Sequence, residues 1–317
     1  MRAALVGLAL AGLLLAACGT ERQYAPPRPT PTPTLEGGTV AGDRVVTDMA
    51  DREVRVPERV ERVVVIAPAA ADYARALGLT VIGQPTDVPG AEGAAPVGTT
   101  LNPDFRAIAA LEPDLVIGDA AVQGARIPDF DRFTRPVFLV RATDYNAILE
   151  AVDRLGEATG RQDAAAALRA ELENRVITAA LVARERRAAA GPLRVLVLTG
   201  AGRDVFAAGT TTYIGNLLSI LGAENALASP PEGGPLPGFG AIDPGHAALL
   251  APDVVLVLPA GEGGLDGAIR RDPAWAHTPA VRDGRVYVID RMLFLRAPGP
   301  RIGEAIGSLL ALLWPGP

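Results

Sequence analysis

Lysine is missing from this 317-residue chain, so all 30 of its basic residues are arginines. They face 36 acids and leave a net charge of −6. An acidic chain without a basic run is a poor partner for nucleic acid, whose binding rests on neutralising phosphates. A single cysteine, Cys18, excludes an internal disulfide and a cysteine-rich zinc module. Two histidines, His246 and His277, leave little room for a histidine-clustered metal centre. The three serines (Ser219, Ser229, Ser308) lie in no nucleophile elbow, and no Walker motif is present. With 7 Phe, 5 Tyr and 2 Trp, there is little material for a large ring-lined pocket. What remains is globular: 49% hydrophobic and 21% charged residues can bury a sizeable core.

The first segment reads as an export signal over 1–17. Arg2 precedes an apolar run from Ala3 to Leu15, too short for a membrane span. It ends in Leu15-Ala16-Ala17-Cys18, which resembles a bacterial lipobox. The lone thiol then becomes a site for a diacylglycerol anchor. The alternative is an ordinary signal peptide with an incidental cysteine. Residues 18–43 read as a tether, because Pro26, Pro27, Pro29, Pro31 and Pro33 favour an extended chain with no core.

The rest divides into an N-terminal lobe (44–160), a bridging helix (161–190) and a C-terminal lobe (191–317). A hairpin is expected over 47–49 and 53–56, turning at Ala50-Asp51-Arg52. The β-branched run at 62–66 is a strand buried on both faces, followed by a helix at 71–77 that Gly78 stops. Asn102-Pro103 reads as an N-cap and first-turn proline, and so does Asp243-Pro244. Leu111-Glu112-Pro113-Asp114-Leu115-Val116-Ile117 is echoed by Leu250-Ala251-Pro252-Asp253-Val254-Val255-Leu256. Two matching β/α halves predict two lobes, each with a mainly parallel sheet. Between them, 162–189 has no Gly or Pro and reads as one helix, which predicts modest lobe closure.

Catalytic signals are weak. Gly200-Ala201-Gly202 lacks the third glycine of a dinucleotide fingerprint and reads as a strand–loop turn. Asp243 and His246 read as a capping acid and a surface histidine, and Asp119, Asp129 and Asp131 as solvated loop acids. Binding is better supported. Ligands of open parallel sheets gather at the carboxyl ends of strands. Here those ends are rich in glycine, arginine and threonine, with Tyr213, Phe239 and Phe294 as the few aromatics.

Several motifs now come together. Asp48…Arg52-Glu53-Val54-Arg55-Val56-Pro57 is followed by Ala76-Leu77-Gly78, Leu111-Glu112-Pro113-Asp114 and Leu221-Gly222-Ala223-Glu224-Asn225. Asp272-Pro273-Ala274-Trp275, Val281-Arg282-Asp283-Gly284-Arg285 and Gly299-Pro300-Arg301-Ile302 complete the set. In this order, over about 47–315, the chain resembles the substrate-binding lipoproteins of ABC importers for iron–siderophore, haem and cobalamin. The resemblance implies an α/β fold of two Rossmann-like lobes bridged by one long helix. It also implies a ligand cleft between the lobes and delivery to a permease with its ATPase. The expected protein is a monomer without catalysis or cofactor, anchored to the membrane on its extracytoplasmic side. The alternative is a lipid-anchored enzyme or sensor on the same fold.

The resemblance also places residues. Phe239 falls where relatives carry a cleft aromatic, and Arg296 where cobalamin-binding members carry a cleft arginine. Arg301 belongs to the Gly-Pro-Arg motif, and Tyr213 lies at a strand end. Val88 and Thr100 replace aromatics of cobalamin binders. Arginines at strand ends favour an anionic metal chelate: a ferric siderophore first, then haem or cobalamin. Relatives dock through one glutamate per lobe, seven residues before the proline of Pro-Asp. Here those positions are Arg106 and Gly245. Asp104 and Asp243, nine residues before that proline, are either displaced docking acids or only helix caps.

Overall fold

The computed structural model describes residues 43–316, apart from 91, 131, 134, 203, 228, 230–233, 235, 262 and 263. The expected signal, Cys18, the tether up to residue 42, and Asp131 lie outside the described residues.

The N-terminal lobe opens with a hairpin of β1 (Arg44–Thr47) and β2 (Glu53–Val56), paired Thr47 to Glu53. The first strand therefore ends at Thr47, the first residue of the expected 47–49, and Asp48 and Met49 lie beyond it. Asp48 causes this: its buried carboxylate accepts from the amides of Ala50 and Arg52 and from the Arg52 guanidinium at 2.6 Å. It also accepts from the amide of Leu139, while Arg52 donates to the Val137 carbonyl, so the turn docks on a sheet edge.

That sheet comprises β3 (Arg62–Val65), β4 (Thr80–Gln84), β5 (Ala95–Pro96), β6 (Leu115–Asp119) and β7 (Val137–Val140). Its order is β5-β4-β3-β6-β7, all parallel. The helices α1 (Pro68–Ala76), α2 (Phe105–Ala110), α3 (Ala120–Gln123), α4 (Ile127–Phe130) and α5 (Tyr145–Thr159) connect or flank the strands. One of these starts differs from expectation. Asn102 is not the cap of α2; Asp104 is, accepting from the amides of Arg106 and Ala107. Pro103 instead forms an isolated bridge with Gly98.

A 29-residue helix, α6 (Gln162–Ala190), roughly 43 Å long at 1.5 Å per residue, leads into the second lobe. Gly156 of α5 lets it pack closely, since a Cβ there would lie 2.4 Å from that of Ala165. The C-terminal sheet contains β8 (Arg194–Ala201), β9 (Asp204–Ala208), β10 (Glu224–Asn225), β11 (Phe239–Ala241), β12 (Val254–Pro259) and β13 (Val286–Val288). Strands β8, β10, β12 and β13 pair in parallel, and β9 is antiparallel to β8 and β11. The helices are α7 (Tyr213–Leu221), α8 (Pro244–Leu249), α9 (Leu265–Arg271), α10 (Pro279–Arg282) and α11 (Ile302–Leu313). A π-helical turn, Met292–Arg296, lies between β13 and α11.

Strand alternation sorts the core. Val63 and Val65 of β3, and Val195 and Val197 of β8, face a central core, while Val64, Leu196 and Leu198 face outer ones. Ala165, Leu172, Val176, Ala179 and Ala183 form one stripe of α6 in that same central core. Apolar packing therefore runs unbroken from one lobe through α6 into the other. At the far end of α6, Arg187 donates to the Gly222 carbonyl and Arg186 to that of Trp314.

The repeat seen in the sequence is physical. Asp114 accepts from the amides of Glu61 and Arg62, and Asp253 from that of Arg194. Arg62 donates to the Leu111 carbonyl and Arg194 to that of Leu250. Glu112 and Ala251, just before each Pro-Asp, share a left-handed backbone at φ 47° and 44°. Each lobe thus closes one sheet strand, β3 or β8, against the same turn.

Candidate ligand site between the lobes

The loop after β4 and the helix after β3 meet the C-terminal lobe across a seam. Gln84, at the end of β4, holds the next loop through its side-chain amide to the Val88 carbonyl. Asp87 in that loop accepts from the Thr100 amide at 2.8 Å and the Thr100 hydroxyl at 3.0 Å. It also accepts from the guanidinium of Arg296, at 2.7 Å, which comes from the π-helical turn of the other lobe. Partial desolvation works against the charge of Asp87, but these bonds outweigh it and hold the carboxyl below its usual range. Thr100 is fixed in turn. The buried Gln123 donates to its carbonyl and to that of Ile66, and accepts from the Asp119 amide at 2.7 Å. A continuous hydrogen-bonded chain therefore runs from Arg296 to the ends of β3 and β6.

Asp119 is not a solvated loop acid. It is 5% exposed, at the end of β6, and caps α3 by accepting from the Ala121 amide. Burial pushes its carboxyl up to about 6, against the opposing pull of that bond and of the Arg141 guanidinium. Asp129 is exposed and pairs with Arg126. Tyr73 of α1 is wholly buried, and its hydroxyl has no hydrogen-bond partner among the described residues. Burial first, then the charges of Asp119 and Tyr213, raise its phenol well above the ordinary range. Its ring lies under the loop before α11, where a Cβ on Gly299 would stand 3.3 Å away.

The expected ligand residues have different surroundings. Arg296 is bound to Asp87. Tyr213, first residue of α7, is buried and its phenol is raised by desolvation. Arg301 pairs with Glu304 and lies within electrostatic reach of Asp72, whose carboxyl burial raises against the pull of Arg301 and Arg75. Phe239 lies on the β11 edge strand but is only 5% exposed, within the central core, and Phe294 is buried too. Asp87, Gln123, Tyr73 and the burial of Asp119 were not anticipated. The signal for Asp87 was its place just past the β4 strand, at the same carboxyl edge as the other loops.

Among the described residues, no group of three or more His, Cys, Asp or Glu could hold a metal ion. Asp243 accepts from the His246 amide and caps α8. Gly200 and Ala201 are the last residues of β8, paired with Val205 and Asp204 of β9, and Gly202 begins the turn between the two strands. No helix among the described residues is long and apolar enough to cross a membrane.

A family model described as periplasmic binding protein matches residues 63–293. The chain belongs to the periplasmic binding protein family. It is 21% identical to the ABC transporter substrate-binding lipoprotein YvrC of Bacillus subtilis (strain 168), over 97% of this chain and 95% of that one. It is 25% identical to the iron(3+)-hydroxamate-binding protein FhuD of the same organism, over 76% of this chain and 77% of that one. The petrobactin-binding protein YclQ of Bacillus subtilis shares the fold, with a TM-score of 0.72 at 19% identity, covering 86% of this chain and 97% of that one.

In this periplasmic binding protein the two capping acids stand at equivalent points. Asp104 and Asp243 are exposed N-caps of α2 and α8, each nine residues before a Pro-Asp turn. At Gly245 the one atom near an added Cβ, among the described residues, is an Asp243 carboxylate oxygen, at 3.0 Å.

Proposed function

We propose that this protein captures a small anionic metal chelate between its lobes and delivers it to the permease of an ABC importer. A ferric siderophore or ferric carboxylate is the first choice, with haem or cobalamin behind it. The observation that carries this reading is Arg296, a guanidinium brought from one lobe to the strand ends of the other, where an anionic group can bridge both. In this reading Arg301 and Tyr213 are further polar groups for the chelate. The names of the relatives, which bind ferric hydroxamate or belong to importers, support the same class. Native mass spectrometry of the protein with ferric siderophores, ferric citrate, haem and cobalamin tests it. Retention of one metal chelate is the expected result, and retention of none removes the substrate class.

The same proposal includes an anchor. Acylation of Cys18, with the proline tether behind it, would hold the binding lobes near the permease while leaving them in the aqueous phase. Cys18→Ser should release the protein from membranes or leave it unprocessed; unchanged fractionation and acyl labelling reject the anchor. Docking would use Asp104 and Asp243. Each lobe also carries an exposed leucine close in sequence to its acid: Leu101, 77% exposed, precedes the Asp104 cap, and Leu249, 79% exposed, ends the helix that Asp243 caps. An acid and an apolar contact on each lobe fit a basic permease surface with apolar recesses.

A further inference from the structure

The pairing of Asp87 with Arg296 joins residues 209 apart in sequence and ties one lobe to the other across the seam. The two ends are held unequally. Asp87 is aimed by the Thr100 amide and hydroxyl, and Thr100 is anchored through its carbonyl to the buried Gln123. Arg296 ends a five-residue π-helical turn, and Asp87 is the one hydrogen-bond partner of its guanidinium among the described residues. Both side chains are about one third exposed, at 31% and 33%. A half-solvated pair of this kind is weak enough to exchange. Any anionic ligand that reaches Arg296 must displace a carboxylate already in place, or face its charge.

We propose that Asp87 is a specificity residue: a built-in anion that latches the lobes through Arg296 and yields only to a bidentate or multiply charged oxygen group. The proposal rests on the reading above that Arg296 meets the ligand. A single carboxylate arriving at Arg296 merely replaces an equivalent partner and gains nothing. A chelate offering two oxygens to the planar guanidinium gains a forked pair and, by relieving the latch, repays the loss of the Asp87 contact. A neutral chelate leaves the latch intact and has no claim on Arg296. Thr100, which departs from the aromatic of cobalamin binders, is the residue that sets this charge in place.

Two measurements on the full chain decide the matter. Hydrogen exchange reads the latch without any ligand. Asp87→Asn and Arg296→Gln should each speed amide exchange in 85–90 and in 292–298, and the double variant should add nothing further. Wild-type exchange in both single variants, or additive effects in the double variant, overturns the latch. Titration then uses ferric citrate and a neutral ferric trihydroxamate as probes. Asp87→Asn should tighten the citrate complex by up to about fivefold and leave the hydroxamate complex unchanged. Equal affinities of wild type and Asp87→Asn for both probes overturn the specificity role. If the wild type binds neither probe, the specificity role of Asp87 toward ferric carboxylates fails, while the exchange measurement still decides the latch.

Discussion

The side chain of Asn216, on α7 of the C-terminal lobe, accepts a hydrogen bond at 3.0 Å from the amide of Tyr145, the first residue of α5 in the N-terminal lobe. The first amides of a helix have no partner within it. One lobe therefore satisfies a helix end of the other. Asn216→Leu should leave this amide unpaired and cost about 1–3 kcal/mol. Asn216→Asp keeps an acceptor at a positive helix end and should cost much less. Urea unfolding compares them, and equal midpoints for both variants would remove the role of this bond.

Lobe movement should be small. The central core passes from Val63 and Val65 through Leu172 and Val176 to Val195 and Val197 without a break. A wide opening would expose that surface. X-ray scattering with and without a bound chelate should give nearly equal radii of gyration. A large compaction would point to a hinged clamshell instead.

Asp119 should make stability fall as pH rises from about 4 to 6. Its carboxyl is raised from 3.8 to about 6 in the folded protein by burial. Across that window the folded state holds the proton more tightly than the unfolded one, so unfolding releases it and is favoured as pH rises. The full effect, reached above pH 7, is of the order of ~3 kcal/mol. Asp119→Asn keeps an acceptor for Ala121 and removes the charge. It should flatten the stability profile between pH 4 and 7 and raise the melting temperature at pH 7.5. A wild-type slope in this variant would sink the assignment.

Asp104→Asn and Asp243→Asn separate capping from docking. Asparagine caps a helix as well as aspartate, so stability should hold within a few tenths of a kcal/mol. Ligand affinity should also hold, while the double variant loses association with the permease in a pull-down from membranes. Normal association would leave both acids as caps alone.

Much of the fold was written locally. Runs such as Val63-Val64-Val65 and Val195-Leu196-Val197 announce strands buried on both faces, because nothing in them tolerates water. The absence of Gly and Pro over 162–189 announced α6 to within one residue. Local reading failed where a side chain bonds far along the chain. Asp48 looked like part of a strand, yet its carboxylate binds Leu139 and ends the strand early. Asn102-Pro103 had the look of a cap, but Pro103 is committed to a bridge with Gly98 and the cap passes to Asp104.

The sequence by itself determined the two-lobed repeat, the bridging helix and the family, since these rest on periodicity, spacing and motifs within single segments. Only the tertiary structure decided the site. Arg296, expected from the resemblance as a cleft arginine, is held by Asp87, 209 residues away. Asp119 was read as solvated and is buried. Phe239, expected at the cleft, lies within the core. Burial and pairing are set by which strand ends the two sheets bring together, and no local pattern carries that distance.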